Sequence, residues 1–470
     1  MYTQGFSAGA AVHDPSVFID NDGTHYIFGT HMTAAKTDDL RHWEMFADGV
    51  TPDNPLFSNL LGTDDKAFEF CGRFSRRVYA VWAPDVHYNR IMNKYVMYFC
   101  TSGSYVRSSL CMAVADNAKG PYTFLCTFLH SGFDAETVKK TNVSEVLGPN
   151  DSFSRYLKKN GHYNNLSWPN CIDPNVFTDA DGRTWMVYGS WSGGIFILEI
   201  DESTGMPIHP KADAHNKVDP YYGKKLIGGG HKSIEGPYII YDKKSSYYYL
   251  FVSYGWLGRD GGYQIRLFRS KKPDGPYTDM KGRSFTRVPQ HESYGLKLIG
   301  NYNFPSLPRG YKSPGHSSAF IDEDGQLFLV YHQRFDCNTD EHEPRVHQLF
   351  RTEDGWLTMA PFATDGEQLC NKDYNAVEIM GEYYLLNHES DISDKVHEPV
   401  KVVFSNDRRI LCDGKEAGTY MPGAAGKIKI TFNGHVFCGV VIMSMDESGN
   451  PTMCITAVGD NQSIWAVKYL

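Results

Sequence analysis

The sequence predicts an all-β protein, a five-bladed β-propeller followed by a small β-sandwich or barrel. Three observations carry that expectation. First, one strand–turn–strand phrase recurs: "DPSVFIDNDGTHY" from Asp14, "DPNVFTDADGRTW" from Asp173 and "GHSSAFIDEDGQLF" from Gly315. Second, two looser copies keep its layout, in "WAPDVHYNRIMNKYVMYFC" and "EGPYIIYDKKSSYYYLFVSY". Third, long amphipathic helical patterns are missing, while 30 Tyr and 27 Phe favour strands. Similar antiparallel sheets repeated along a chain close most simply as blades around an axis.

Aligning the three strong copies on Gly23, Gly182 and Gly325 places an ionisable residue nine positions earlier in each: Asp14, Asp173 and His316. The looser copies add Asp85 and Glu235, so that the five leading residues follow one another at intervals of 62 to 88 residues. A residue opening the innermost strand of a blade sits at one end of the central channel. The five are therefore expected to converge on one pocket. The Asp-Gly turns read as hairpins with glycine in a left-handed conformation. An EF-hand calcium loop would need a glutamate at its twelfth position. Proline after Asp14 and after Asp173 is expected to hold each aspartate extended.

The propeller is expected to occupy residues 1–365. "APFATDGEQL" reads as a linker, and residues 375–470 as the second β domain, which carries no leading carboxylate and no catalytic set.

Composition excludes several functions. The net charge is −9 without a Lys/Arg run, which argues against a nucleic-acid or anionic-membrane partner. No stretch approaches the uninterrupted apolar run of a membrane span. The ten cysteines form no C-x-x-C pair or zinc spacing and read as buried thiols. No H-E-x-x-H supports a metal-activated water.

Carboxylates gathered in one pocket raise one another's pKa, and burial raises it further. One group can then stay protonated while another is ionised, the division of labour that glycoside hydrolysis requires. Glu235, flanked by Ile234 and Pro237 and one methylene longer than an aspartate, suits the acid. Residue types alone do not separate base from helper between Asp14 and Asp173. Asp85, in "WAPD", reads equally well as a loop-holding residue.

At these residues the chain resembles glycoside hydrolase family 43, and most of all its two-domain endo-α-1,5-L-arabinanases. The stretches that carry the likeness are "HDPSVF", "VWAPDVHYN", "CIDPNVFTDADGRTWMVYGSWSGGIF", "SIEGPYIIY", "SPGHSSAFIDEDG" and "LVYHQRF". The resemblance implies a five-bladed propeller and inversion at the anomeric carbon. It makes Asp14 the general base, Glu235 the general acid and Asp173 the residue that tunes the acid, with acid and base roughly 6.5–9.5 Å apart. It implies a calcium ion at the pocket floor, met by His316 and otherwise mostly by water. Trp82 becomes a sugar platform, and Asn175, Ser190 and Trp191 become substrate contacts. One departure is Gly236, where many relatives carry a charged or aromatic residue after the acid.

The expected substrate is arabinan or arabino-oligosaccharide, acted on by a monomer. Alternatives are an exo-acting arabinofuranosidase or β-xylosidase of the same family, or a propeller that only binds sugar. Loops 51–80, 130–170 and 280–312 decide between an open groove and a closed pocket. The opening "MYTQGFSAGA" has neither a basic nor an apolar leader segment. With a polymer as substrate the expected place of action is extracellular, any signal peptide being absent from this sequence; cytoplasmic is the alternative.

Overall fold

A computed structural model describes residues 6–75, 78–286, 288, 290–369 and 373–470. It is a five-bladed propeller followed by a closed eight-stranded barrel. Blade 1 runs outward through Ser16–Ile19, His25–Gly29, Thr33–Thr37 and Glu44–Ala47, all antiparallel. The innermost strands of blades 2 to 5 are Ala80–Asn89, Asn175–Thr178, Ile234–Asp242 and Tyr311–Ile321. The hairpin reading of the Asp-Gly turns holds. Gly23, Gly182 and Gly325 lie at φ between 77° and 85°, and each backbone N–H returns to the carbonyl of Asp20, Asp179 or Asp322.

Among the described residues every blade comes from one contiguous run of chain, and no shared strand latches the ring. Closure rests on packing between first and last blades. Val12, Val17 and Ile27 meet Phe320, Phe328 and Val330 in one apolar cluster. Polar contacts fix the register: Val17 N donates to Ser318 Oγ (3.0 Å) and Ala8 N to Glu343 Oε2 (2.9 Å).

In the barrel, Gly381–Asn387 to Gln462–Tyr469, each strand pairs with the next and the last pairs with the first. Closure removes exposed sheet edges. Tyr383, Phe404, Ile410, Tyr420 and Phe432 fill its interior. Gln368–Leu369, inside the segment read as linker, adds a short strand to His435–Met445. The nine described cysteines are free thiols, as expected, with Cys71, Cys100, Cys111, Cys171 and Cys454 buried; Cys370 lies outside the described residues. No helix is long and apolar enough to cross a membrane among the described residues.

Barrel and propeller share a core. Tyr302, Phe304 and Leu329 of the propeller cluster with Val440, Ile442 and Trp465 of the barrel. Trp465 is fully buried, edge-on to Tyr302 at 5.1 Å between ring centres and to His388 at 4.3 Å. Trp465→Ala should cost about 3–5 kcal/mol. In guanidinium unfolding we expect propeller and barrel signals to shift together rather than separate into two transitions.

Candidate active site

The site forms where the chain enters the innermost strand of each blade. Asp14, Ala83, Asp173, Gly236 and His316 all have φ between 42° and 56°. These are the equivalent positions of the five blades, each followed by proline or, after His316, by serine. Two expectations are corrected. The aspartates before proline are left-handed, not extended. The looser copies lead with Ala83 and Gly236, so Glu235 lies one residue before the repeat position and Asp85 two after it.

That offset separates the two carboxylates. Glu235 reaches the cavity at the channel mouth. Asp85 turns into the channel below, where its Oδ2 accepts from Val176 N (2.7 Å) and Asn175 Nδ2 (3.4 Å), and its Oδ1 accepts from the Ser16 hydroxyl. Burial pushes its carboxyl up to about 7. Asp85 ties blades 1, 2 and 3 together. Asn175, expected at the substrate, lies in the same layer and accepts from Ile239 N of blade 4 (2.9 Å).

Left-handed residues other than glycine carry backbone strain, and neighbouring blades hold these in place. Thr30 Oγ1 of blade 1 accepts from Ala83 N (3.1 Å). Cys100 holds the matching place in blade 2, its sulfur donating to Trp82 O (3.2 Å). Ser253 Oγ of blade 4 accepts from His316 N (2.7 Å), and His332 Nδ1 of blade 5 from Asp14 N (3.3 Å). Between blades 3 and 4 the pattern changes. There Asp173 Oδ2 accepts from Gly236 N (3.2 Å), and Ser190, which occupies the capping position, donates instead to Glu235 Oε2 (2.9 Å). Ser190, expected as a sugar contact, thus holds the acid and also lines the cavity. Glycine at 236 follows from geometry. Beyond its positive φ, a Cβ there would stand 3.0 Å from the His316 ring.

The cavity, about 260 Å³, is lined by Asp14, Asp173, Glu235 and His316, together with Trp82 and Trp191. Sequence reasoning missed Phe74, Tyr105 and Trp256, which stand on its rim at 49%, 64% and 59% exposure. Trp256 sits in the glycine-rich run "GWLGRDGG"; a large aromatic in such a run was the available signal. Phe74 stacks parallel to Trp82, ring centres 6.4 Å apart.

The carboxylates differ in charge state. Burial would raise Asp14, but the His13 and His316 imidazoles on its two oxygens hold it well below the usual carboxylate range. The distances are 2.8 Å from His13 Nδ1 and 3.1 Å from His316 Nδ1, and Thr30 Oγ1 adds a third bond at 2.5 Å. Burial raises Glu235, with Asp14 adding repulsion and His316 opposing it. Burial also raises Asp173, to about 7, against the pull of His316 and with Glu235 and Asp14 adding to it. Burial alone would lower His316, but Asp14 and Asp173 draw it up to about 9.

Among the described residues two groupings have the spacing of metal ligands. In one, His13 Nδ1 already lies on Asp14 Oδ2 (2.8 Å), and His332 Nδ1 accepts from the Asp14 backbone N–H (3.3 Å). In the other, Glu389, Asp391 and His397, Lys297 Nζ occupies Asp391 Oδ1 at 2.8 Å. That grouping ties a barrel loop to blade 4.

Comparison with known proteins agrees with this architecture. Residues 148–357 match the model of glycosyl hydrolases family 43, and residues 361–466 match a C-terminal lipocalin-like domain. An extracellular endo-α-(1→5)-L-arabinanase 2 from Bacillus subtilis is 37% identical, over 97% of this chain and 93% of its own. An extracellular endo-α-(1→5)-L-arabinanase from Thermotoga petrophila is 39% identical, over 85% and 81%. The crystal structure of a family 43 protein from Bacillus licheniformis superposes with a TM-score of 0.85 at 36% identity, covering 99% of each chain. That of the T. petrophila endo-1,5-α-L-arabinanase with TRIS gives 0.84 at 35% identity, over 98% and 99%. With relatives matched from end to end and a propeller whose five blade entries gather three carboxylates, the chain belongs to glycoside hydrolase family 43.

Proposed function

We propose that this chain cuts α-1,5-L-arabinofuranosidic bonds within arabinan by single displacement with inversion. One observation carries the reading: in a single cavity, Asp14 is held ionised while Glu235 is pushed toward its protonated form. Asp14 accepts a proton from water as that water attacks the anomeric carbon. Glu235 gives its proton to the departing glycosidic oxygen. Asp173 orients the Gly236 backbone next to the acid and, as the third carboxyl of the cavity, tunes it, while Asp14 adds the repulsion that helps keep Glu235 protonated. Exposed aromatics on the rim, Phe74 and Tyr105 from blade 2 and Trp256 from blade 4, suit an extended chain lying across the mouth. The names of the B. subtilis and T. petrophila relatives support substrate and cutting mode, and their description as extracellular supports action outside the cell. One chain supplies every residue of the site, which suits a monomer.

The calcium ion implied by the family resemblance fits the chemistry around His316. Asp14 and Asp173 draw positive charge onto that imidazole, and a cation on its other nitrogen would meet the same demand. His316 would be its protein ligand and water the rest of its shell, as a hard cation prefers oxygen. Bound there, the ion would supply charge that favours ionised carboxylates.

Four measurements test these readings. On linear arabinan, oligosaccharides should appear before arabinose, and proton NMR of the first product should show the inverted anomer. Monomer appearing first would indicate exo cutting, and retained configuration would remove the water-base role of Asp14. Asp14→Asn and Glu235→Gln should each lower kcat by about 10²–10⁴. Chelation followed by dialysis should lower the melting temperature or the rate, and calcium should restore it. No change in either would remove the ion from the site.

A further inference from the structure

We propose that Arg334 and His13 are positioning residues for Asp14: Arg334 fixes the tautomer of His13, so that His13 presents an N–H to the base. The inference rests on the reading of Asp14 as the base.

The argument is one of donors and acceptors. Arg334 Nη2 lies 3.1 Å from His13 Nε2. A guanidinium has only donors, so the nitrogen facing it must be the bare, accepting one. The proton of a neutral His13 then sits on Nδ1, which lies 2.8 Å from Asp14 Oδ2. With the opposite tautomer, two N–H groups would face each other across Arg334 and two lone pairs would meet at Asp14. The order of bonds Arg334→His13→Asp14 therefore sets the direction of the bond at the carboxylate.

The surroundings hold both members in place. The His13 ring lies parallel to His332, centres 4.0 Å apart with 22° between planes, and His332 in turn stacks on Tyr263. His332 Nδ1 accepts from the Asp14 backbone, so the same stack fixes the aspartate's main chain and its side chain. Arg334 is buried, and its Nε donates to Leu257 O at 2.9 Å. Leu257 lines the cavity next to Trp256. The guanidinium that orients the base is thus anchored to the loop carrying the rim tryptophan. A carboxylate turned by a fraction of an ångström from the attacking water loses rate without losing substrate affinity.

Asparagine and glutamine at position 13 separate this role from packing. The amide nitrogen of asparagine falls near the histidine Nδ1 and can donate to Asp14 without a tautomer to fix. That of glutamine falls near Nε2. On linear arabinan, with melting temperature as the check on folding, His13→Gln should lower kcat by about 10- to 100-fold with KM unchanged, as losses of orienting partners do. His13→Asn should stay within a few-fold of the native rate. Arg334→Met should match His13→Gln in the native background and cost little further when added to His13→Asn. Equal kcat for the Asn and Gln variants would overturn the proposal. So would an Arg334→Met loss of the same size in both backgrounds. If Arg334→Met does not fold, the Asn and Gln pair decides alone. An active Asp14→Asn would overturn the base reading and this proposal with it. An inactive Asp14→Asn beside native-like His13→Gln would overturn this proposal only.

Discussion

A side chain from one blade caps the backbone at the head of the next, and the site depends on that interaction. The five entry residues sit at positive φ, a cost on the order of 1 kcal/mol for each that is not glycine. Thr30, Ser253 and His332 each hold the N–H of the following blade's entry residue. The strained turn aims Asp14, Asp173 and His316 at one point above the channel. Ala83 and Gly236 leave the other two ring positions nearly free of side chain. The same contacts join blade to blade in a ring that no shared strand closes among the described residues, so catalytic geometry and closure rest on common bonds.

The exception in that ring is where the acid is made. Between blades 3 and 4 the capping serine is released from the backbone, because Asp173 takes the Gly236 N–H. Ser190 is then free to hold Glu235. Glu235 extends from the residue before the repeat position, so it approaches the cavity from a different direction than the two aspartates. Burial raises all three carboxylates. What separates them is partners: Asp14 has two imidazoles and a threonine hydroxyl, Glu235 one serine hydroxyl. A symmetric scaffold thereby produces chemically unlike acids.

Much of this was legible in the chain. Repeat spacing gave five blades and brought Asp14, Asp173 and His316 together, because side-chain placement in a propeller follows strand register. Glu235 came with them, although its equivalence to the others did not hold. Asp85 and Asn175 were harder. Two residues of register decide whether a polar group faces the cavity or the channel, and a sequence does not display the left-handed turn that sets register. Trp82 and Trp191 were found through motifs, whereas Phe74, Tyr105 and Trp256 lie in loops without periodicity. His13 and Arg334 are 321 positions apart, and only ring closure makes them neighbours.

The central claim is that Glu235 carries the proton that the leaving oxygen receives. It is tested most directly by the pH dependence of kcat/KM for native protein on arabinan and for Glu235→Gln on an arabinofuranoside whose leaving group departs without protonation. A group whose pKa is raised by burial must lose its proton as pH rises, so the native protein acting on arabinan should show an alkaline limb. Asp14, held low, places the acidic limb below the ordinary carboxylate range. In Glu235→Gln, the activated substrate should still turn over and the alkaline limb should vanish. An alkaline limb that persists unchanged in that variant would assign the proton to another group and contradict the account.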